Sequence, residues 1–458
     1  MLGPKGPDAR PSYPFFISDL LGLRFCLLPL AALRDAFAKC VAHTSGLKGV
    51  WITKQRNSDG EAYFDFEPTL KALKPYVFRV LDWDGGGEKL TFQRLAELFL
   101  DTLDYEGADV LPYAPGACPP PTRFFNLFPG FRAPVGPAAP KLIAPILSHL
   151  LVVLAAGVDS HYVWFVNWLA NLVKNPSVKP GTIVVLRSEQ GAGKDCFIEF
   201  FGLRVLGPAL FFQTPDIEKA TGRFNSAIEG KRLVAFSELG MPTDKFHPTM
   251  ERVKSLTTDP TLTVERKGQE PRTVKDYSAY IVASNSDSPL RVERSDRRTM
   301  CLECSNEKIG DTAYWDVLVP LVKHHPDTPA AFMAYLLAWE VDEAAVHRPI
   351  ETEMKKALKF DHLASPARFL SERLELVKGT CASTTTRRVP CDDFYETFVQ
   401  WCKDMGEREH SANHFGRALG NHGVTKVRLR RPDGTRPNAY DLSNASVDAG
   451  VPLLEVDP

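Results

Sequence analysis

The sequence lacks net charge: 55 Lys and Arg against 56 Asp and Glu over 458 residues leave a formal charge of −1. No basic field covers the molecule, so contact with a polyanion must come from local basic loops. A long apolar run is also missing. The most apolar stretch, Ile143 to Val158, is interrupted by His149 and followed by Asp159. It is too short to span a bilayer, reads as a buried helix, and gives no reason to expect a membrane partner. At the start, Met1 to Pro14 is proline-containing without an apolar run behind a basic cluster, so residues 1–18 are expected to be a disordered lead and not a secretory signal. Cysteines are few and fall mostly inside apolar runs, as in Phe25-Cys26-Leu27 and Asp195-Cys196-Phe197. This suits small buried residues in a reducing compartment, and no disulfides are expected. Cys301-Leu302-Glu303-Cys304 has the spacing of half a zinc or redox site, but it sits in a strand pattern and no second pair follows. Histidines such as His324-His325 show no ligand spacing either, so the cysteines read as core packing and no structural zinc is expected. No internal repeat is present.

What the chain does contain is length for about three domains and an ordinary globular composition, 44% hydrophobic and 24% charged. From Asp19 to Leu103, helical periodicity (Leu28 to Val41, Leu90 to Leu103) alternates with β-type runs (Gly49 to Thr53, Tyr63 to Phe66), predicting a small α+β domain over 19–110. The carboxylate pair considered for a metal role, Asp82-Trp83-Asp84 in a turn-like setting, reads as chance spacing and not as a metal site. Pro112 to Pro140 is dense in Pro and Gly, predicting a linker over 111–141. Helical periodicity returns through Leu142 to Leu154 and His161 to Val173 and stops at Asn175-Pro176, giving a helical segment over 142–180. Strand-like segments follow at Thr182 to Leu186, Arg232 to Phe236 and Tyr280 to Ala283. Helices then dominate Trp315 to Glu340 and Glu353 to Leu376, a helical lid over 311–380. A small domain is expected over 381–445, with a tail over 446–458.

The first of the three strands runs into Arg187-Ser188-Glu189-Gln190-Gly191-Ala192-Gly193-Lys194-Asp195, followed by the helical Cys196 to Phe201. Strand, Gly-rich turn, Lys and helix form the P-loop order. Glycines let successive backbone N–H groups curl around phosphate oxygens, and the helix N-terminus adds partial positive charge. Gln190, Gly191, Ala192, Gly193, Lys194, Asp195 and Cys196 are therefore candidates for binding ATP, with Lys194 on the β- and γ-phosphates. Ser188 stands at the first glycine position and Asp195 at the metal-binding hydroxyl. A carboxylate there can hold Mg²⁺, yet it also adds negative charge near the phosphates. A Gly-rich β-α turn with an exposed lysine is the alternative reading. The second strand ends in Ser237-Glu238, placing Glu238 to hold Mg²⁺ and polarise water. The third ends in Ser284-Asn285, an amide able to orient water. Arg294-Ser295-Asp296-Arg297-Arg298 precedes a further apolar segment, and arginine's planar, permanently charged fork suits a transferring phosphoryl group.

The series GAGK, strand-Ser-Glu, strand-Ser-Asn and DRR, in this order within about 110 residues, resembles superfamily 3 helicases, particularly poxvirus-type and phage-type primase-helicases. Tyr162 to Pro176, Gly222-Arg223-Phe224-Asn225 and Lys254-Ser255-Leu256-Thr257 also resemble that group, whose similarity covers Phe125 to Asp342. Ser237 stands where many relatives have Asn or Asp. The resemblance implies an α/β, AAA+-like motor domain with a parallel sheet over 181–310, assembled as a hexamer with ATP at subunit interfaces and single-stranded DNA in the channel. It assigns Lys194 to phosphate, Asp195 and Glu238 to Mg²⁺ and water, Asn285 to sensing, and Arg298, then Arg297, to a finger acting in trans. A primase or polymerase partner at the replication fork is implied as well, with a place at viral or mobile-element DNA replication.

Two basic elements fit such a motor. Thr261 to Glu265 and Pro271 to Val274 flank Arg266-Lys267-Gly268-Gln269-Glu270, a hairpin with a basic tip on which Lys267 and then Arg266 are candidate phosphate contacts. Helical stretches Asp393 to Lys403 and Ala412 to Asn421, then Thr425 to Arg431 and Arg436 to Leu442 around Asp433-Gly434, outline a winged helix. Arg417, Arg428, Arg430 and Arg431 would meet DNA there. Two other classes stay open: a nucleic-acid assembly factor using ATP as a structural ligand, and a motor acting on RNA or protein.

Overall fold

The computed structural model describes residues 17–44, 50–56, 62–67, 76–81, 87–117, 123–237, 252–266, 271–286, 289–290, 292–293, 295–361, 363–380, 388–429 and 436–445. The chain forms two compact units: residues 1–286 with 303–349, and residues 287–302 with 350–458. This division cuts the expected helical block 311–380 between Pro349 and Ile350.

The first unit opens with three strands in the order β1-β5-β6 (Leu27–Pro29, Val77–Leu81 and Gly87–Thr91) and four in the order β4-β3-β2-β7 (Ala62–Glu67, Val50–Arg56, Val41–Thr44 and Asp104–Tyr105). On β5, Phe78 and Val80 are buried while Val77, Arg79 and Leu81 are exposed, the period-two signature of a strand covered on one face. Phe37, from the helix Leu30–Ala38, packs against Phe78, Phe92 and Phe99 at centroid distances of 5.8, 4.8 and 5.4 Å. The expected helix Leu28 to Val41 is shorter at both ends, because Pro29 holds an extended entry (ψ 144°) and β2 begins at Val41. The segment expected to be an irregular linker contains, among its described residues, the strand β9 (Phe124–Asn126), parallel to β8 (Gly107–Asp109). Proline density hid it. Phe125 is buried beside Ala42 and Ile52, and the Asn126 side chain bonds the backbone of Leu111 and Phe128, supplying partners the local pattern does not show.

The helix Pro140–Ser148 continues as a π-turn, His149–Leu154, and the buried helix Asp159–Lys174 ends before Pro176 as the sequence predicts. Four strands of this unit then run parallel in the order β11-β12-β15-β10 (Phe211–Thr214, Leu233–Ser237, Ala279–Ser284 and Ile183–Arg187). All six residues of β15 are buried, as expected of a central parallel strand covered on both faces. A wholly buried guanidinium, Arg232, ties the sheet to the preceding helix by donating to the carbonyls of Leu172 (3.0 Å) and Asn175 (3.3 Å). Phe197, Phe200 and Phe201 meet Phe332 of the helix Thr328–Ala338 at 6.1, 5.5 and 6.4 Å. Among the described residues no helix is long and apolar enough to cross a membrane.

The second unit holds Asp296, residues 299–302 of β16 (Thr299–Glu303) and the helices Glu353–Asp361 and Ser365–Thr380. It ends in the antiparallel order β17-β19-β18 (Arg388–Pro390, Asn438–Asp441 and Thr425–Arg428) against the helices Cys391–Met405 and Ala412–Gly420. Phe369, Phe394, Phe398 and Phe415 form its core. The sequence reading missed β17, whose three residues are too few to show a period. Asp433 and Gly434, expected at the turn between β18 and β19, lie outside the described residues.

In this unit the Lys355 ammonium lies 3.3 Å from the Asp296 carboxylate, with side-chain exposures of 1% and 4%. Burial pushes the Asp296 carboxyl up, but Lys355 and hydrogen bonds from Thr299 and the Arg298 amide outweigh it and hold it below its ordinary value. Asp296→Ala leaves a buried ammonium unpaired and should cost about 3–5 kcal/mol. Because the carboxyl is depressed in the folded state, its contribution is present at neutral pH. That contribution is lost as pH falls from about 4, the unfolded value, through the lower folded one. Urea midpoints from neutral to acid pH should therefore fall for the parent and stay flatter for the variant.

Candidate phosphate-binding site

The carboxyl ends of β10, β12 and β15 converge on one loop, where open parallel sheets place ligands. After β10 the backbone turns through Gly191 (φ 91°) and Gly193 (φ 94°) into the helix beginning at Lys194. Only glycine adopts these angles freely. Lys194 is 5% exposed and donates to Ser188 Oγ (2.5 Å), the carbonyls of Ser188 (3.1 Å) and Glu189 (3.3 Å), and Asn285 Oδ1 (2.8 Å). The structure thus brings together two of the expected residues, Lys194 and Asn285. It also gives Ser188, at the position of the missing glycine, a role as a lysine acceptor. The exposed-lysine alternative does not hold, because the ammonium is enclosed by oxygens.

The other side of the loop rests on residues the sequence did not point to. His149 contacts Tyr314 Oη through Nδ1 (2.7 Å) and the Gly193 carbonyl through Nε2 (3.3 Å). Burial pushes this imidazole down to about 4, so it is neutral at physiological pH. A carbonyl only accepts, so Nε2–H donates to Gly193 and Nδ1 accepts the tyrosine hydroxyl. Burial raises the Tyr314 pKa, which keeps that hydroxyl protonated. A Cβ added at Gly193 would lie 2.3 Å from Trp315 Cη2 and 2.8 Å from His149 Cε1. Gly193→Ala adds left-handed strain to that overlap and should destabilise by roughly 2–5 kcal/mol. A fall in the thermal midpoint of several degrees checks this; an unchanged midpoint would mean the loop repacks freely.

At the end of β12, Ser237 Oγ donates to Asp195 Oδ1 (3.2 Å), while Gln213 Nε2 on β11 donates to Ser237 Oγ (2.7 Å) and Asp195 Oδ1 (3.2 Å). Gln213 had no sequence signal, and the strand that carries it, β11, was not among the three expected. Asp195 and Ser237 offer hard oxygen donors of the kind Mg²⁺ takes. Glu238, the other expected metal residue, lies outside the described residues. Among the described residues no cluster of three or more His, Cys, Asp or Glu side chains is poised around one point. A cavity of about 420 Å³ is lined by Gln190, Gly191, Gly193, Lys194, Asp195, Cys196 and Asn285 on one wall and Trp315, Val319 and Lys323 on the other. Ala192, expected among the ligand-binding residues, is 1% exposed and can offer only backbone. Cys301 and Cys304 are buried free thiols, each pushed up to about 12 by burial, in keeping with core packing.

Arg297 is exposed and Arg298 half-buried in the second unit, on the turn capped by Asp296. The expected hairpin forms from β13 (Thr261–Val264) and β14 (Arg272–Lys275), but Lys267 at its tip lies outside the described residues. Arg266 is not a free cation: it pairs with Glu229 at 2.8 Å, and Arg272 pairs with the same carboxylate. Arg417 and Arg428 are exposed, whereas Arg430 and Arg431 lie outside the described residues, as do Asp82, Trp83 and Asp84.

Comparison with known proteins adds three findings. A profile described as a family of unknown function (DUF5906) matches residues 186–298. The chain is 25% identical over 195 residues to the DNA primase-polymerase of Nitratiruptor phage NrS-1, which covers 42% of this chain and 26% of that protein. The chain thus matches about a quarter of the length of this curated relative. Two apo structures of the NrS-1 C-terminal region share its fold, both at 18% identity. One gives a TM-score of 0.60, covering 88% of this chain and 95% of that one. The other gives 0.54, with 85% and 96% covered.

Proposed function

We propose that this chain is an ATP-driven nucleic-acid motor of a phage-type replication system, of the superfamily 3 helicase kind, moving on single-stranded DNA as a ring. The observation that carries the reading is Lys194, enclosed by oxygens at the start of a helix, behind two glycines at positive φ and within 2.8 Å of Asn285. A γ-phosphate entering the loop replaces those acceptors with its own oxygens, while loop amides and the helix N-terminus supply further donors. The likeness to a phage primase-polymerase supports a place in DNA replication, beside a primase or polymerase activity.

In this account Asp195 and Ser237, together with Glu238, would hold Mg²⁺, and the ion would supply charge neutralisation at the phosphates. Asn285 senses the γ-phosphate and releases Lys194 to it. The neutral His149 fixes the Gly193 carbonyl and so the curl of the loop. The three-stranded sheet with the helices Cys391–Met405 and Ala412–Gly420 acts as a winged helix, presenting Arg417 and Arg428 to DNA, with Arg430 a further candidate contact. Lys267 follows the phosphate backbone, with Arg266 joining it on leaving Glu229. Lys267→Ala is expected to lower stimulation of hydrolysis by single-stranded DNA severalfold and leave basal turnover in place.

Strand displacement from a forked DNA duplex with ATP and Mg²⁺ tests the helicase assignment: ATP-dependent release is expected, and release independent of ATP would contradict it. One observation favours a second reading. Asp195, where a hydroxyl is usual, is already bonded by Ser237 and Gln213, which suits a protein that holds ATP as a structural ligand. Under that reading ATP drives oligomerisation without hydrolysis, and Asp195→Thr with Ser237→Asn raises turnover.

A further inference from the structure

We propose that the solvent face of the β1-β5-β6 sheet is a second binding site for single-stranded nucleic acid, separate from the motor and independent of nucleotide. The pairing register decides which side chains share this face. Leu27 stands opposite Arg79, and Arg79 stands directly opposite Lys89. Arg79 and Lys89 are exposed, and among the described residues neither has an acidic partner. Like charges directly opposed across an antiparallel pair destabilise a sheet. Lysine on an edge strand is a common guard against strand addition. That accounts for Lys89 on β6 but not for Arg79, because β5 is the central strand and has no edge to guard. An anion lying across the two removes the repulsion.

The same face is aromatic as well as basic. The Arg24 guanidinium lies 4.5 Å from the ring centre of Phe25 and 5.2 Å from that of Tyr76. Phe25 is 75% exposed, an unusual position for a phenylalanine. Arg24, Phe25, Tyr76, Val77 and Arg79 line a cavity of about 480 Å³. A basic groove with an exposed ring is the kind of surface on which single strands bind: phosphates track the cations and a base stacks on the ring, with little dependence on sequence. The apolar side chains around it, Leu27 at 47% and Val77 at 39% exposed, suit base faces better than free inorganic anions.

The test uses the full chain without nucleotide, with a fluorescent oligo-dT titrated over a salt series. Arg79→Gln with Lys89→Gln is expected to lower affinity at least tenfold at moderate salt. It should also flatten the slope of log K against log salt by about 1.4, the value for two phosphate contacts on a single strand. Phe25→Ala should lower affinity and leave the slope unchanged. The double glutamine variant should melt no lower than the parent, because it removes a like-charge pair. Unchanged affinity and slope would overturn the proposal. So would a lost affinity accompanied by a lower melting temperature, which marks a structural role, or an effect confined to oligomeric mass in light scattering, which marks a contact between copies. Lys194→Ala run in parallel should keep this binding, so failure at this face and failure of the ATP site are told apart.

Discussion

Lys194→Ala is expected to weaken ATP binding by a hundredfold or more in a titration with a fluorescent nucleotide. The side chain is the most enclosed cation of the loop and already sits among oxygens, so its interaction with phosphate requires little ordering. Charge-assisted hydrogen bonds contribute about 1.5–3 kcal/mol each, so losing two at the phosphates is worth about 3–6 kcal/mol. The substitution also leaves Ser188 and Asn285 without the donor that joins β10 to β15. Asn285→Ala separates the two effects: it should leave affinity within a few-fold and lower turnover, because it removes the sensor and not the charge. Lys194→Ala binding within threefold of the parent would mean that the loop does not hold phosphate.

Arg298→Ala is expected to lower turnover about a thousandfold or more while leaving ATP affinity unchanged, the signature of a group acting on charge that develops in the transition state. The local geometry at this residue is compatible with the proposed role. The Arg298 amide donates to Asp296 Oδ1 (3.2 Å), and Asp296 is fixed by the buried Lys355, so the arginine stands on a rigid turn. Mixing Arg298→Ala with Glu238→Ala subunits should recover part of the activity, since each contributes what the other lacks at a shared site. No recovery on mixing would sink the assignment in trans. A parallel loss in Arg297→Ala alone would move the role to that residue.

The parts of the fold legible in the sequence are those whose signal is local. Three strands of the parallel sheet, β10, β12 and β15, are continuous apolar runs ending in polar residues, and glycines before a lysine announce a turn into a helix whatever surrounds them. The hairpin and the C-terminal helix pair were visible for the same reason, as periods bounded by turn residues. What stayed hidden depends on contacts distant in sequence. His149 sits in an apolar helix and Trp315 in an amphipathic one, and nothing near either indicates that both close over Gly193. Gln213 and its strand β11 went unread, because only pairing beside β12 brings that side chain to Ser237. Arg266 reads as free until Glu229 meets it, because the sequence shows its charge and not its partner. In the same way β9 was concealed by the prolines around it, because its pairing with β8 and the Asn126 bonds to Leu111 join residues distant in sequence.

The most direct test of the central claim is ATP hydrolysis by the purified chain with Mg²⁺, measured with and without single-stranded DNA beside Lys194→Ala. The account predicts basal hydrolysis that rises severalfold with DNA and disappears in the variant. ATP bound by the parent chain but not hydrolysed under either condition would contradict a motor and leave the nucleotide as a structural ligand.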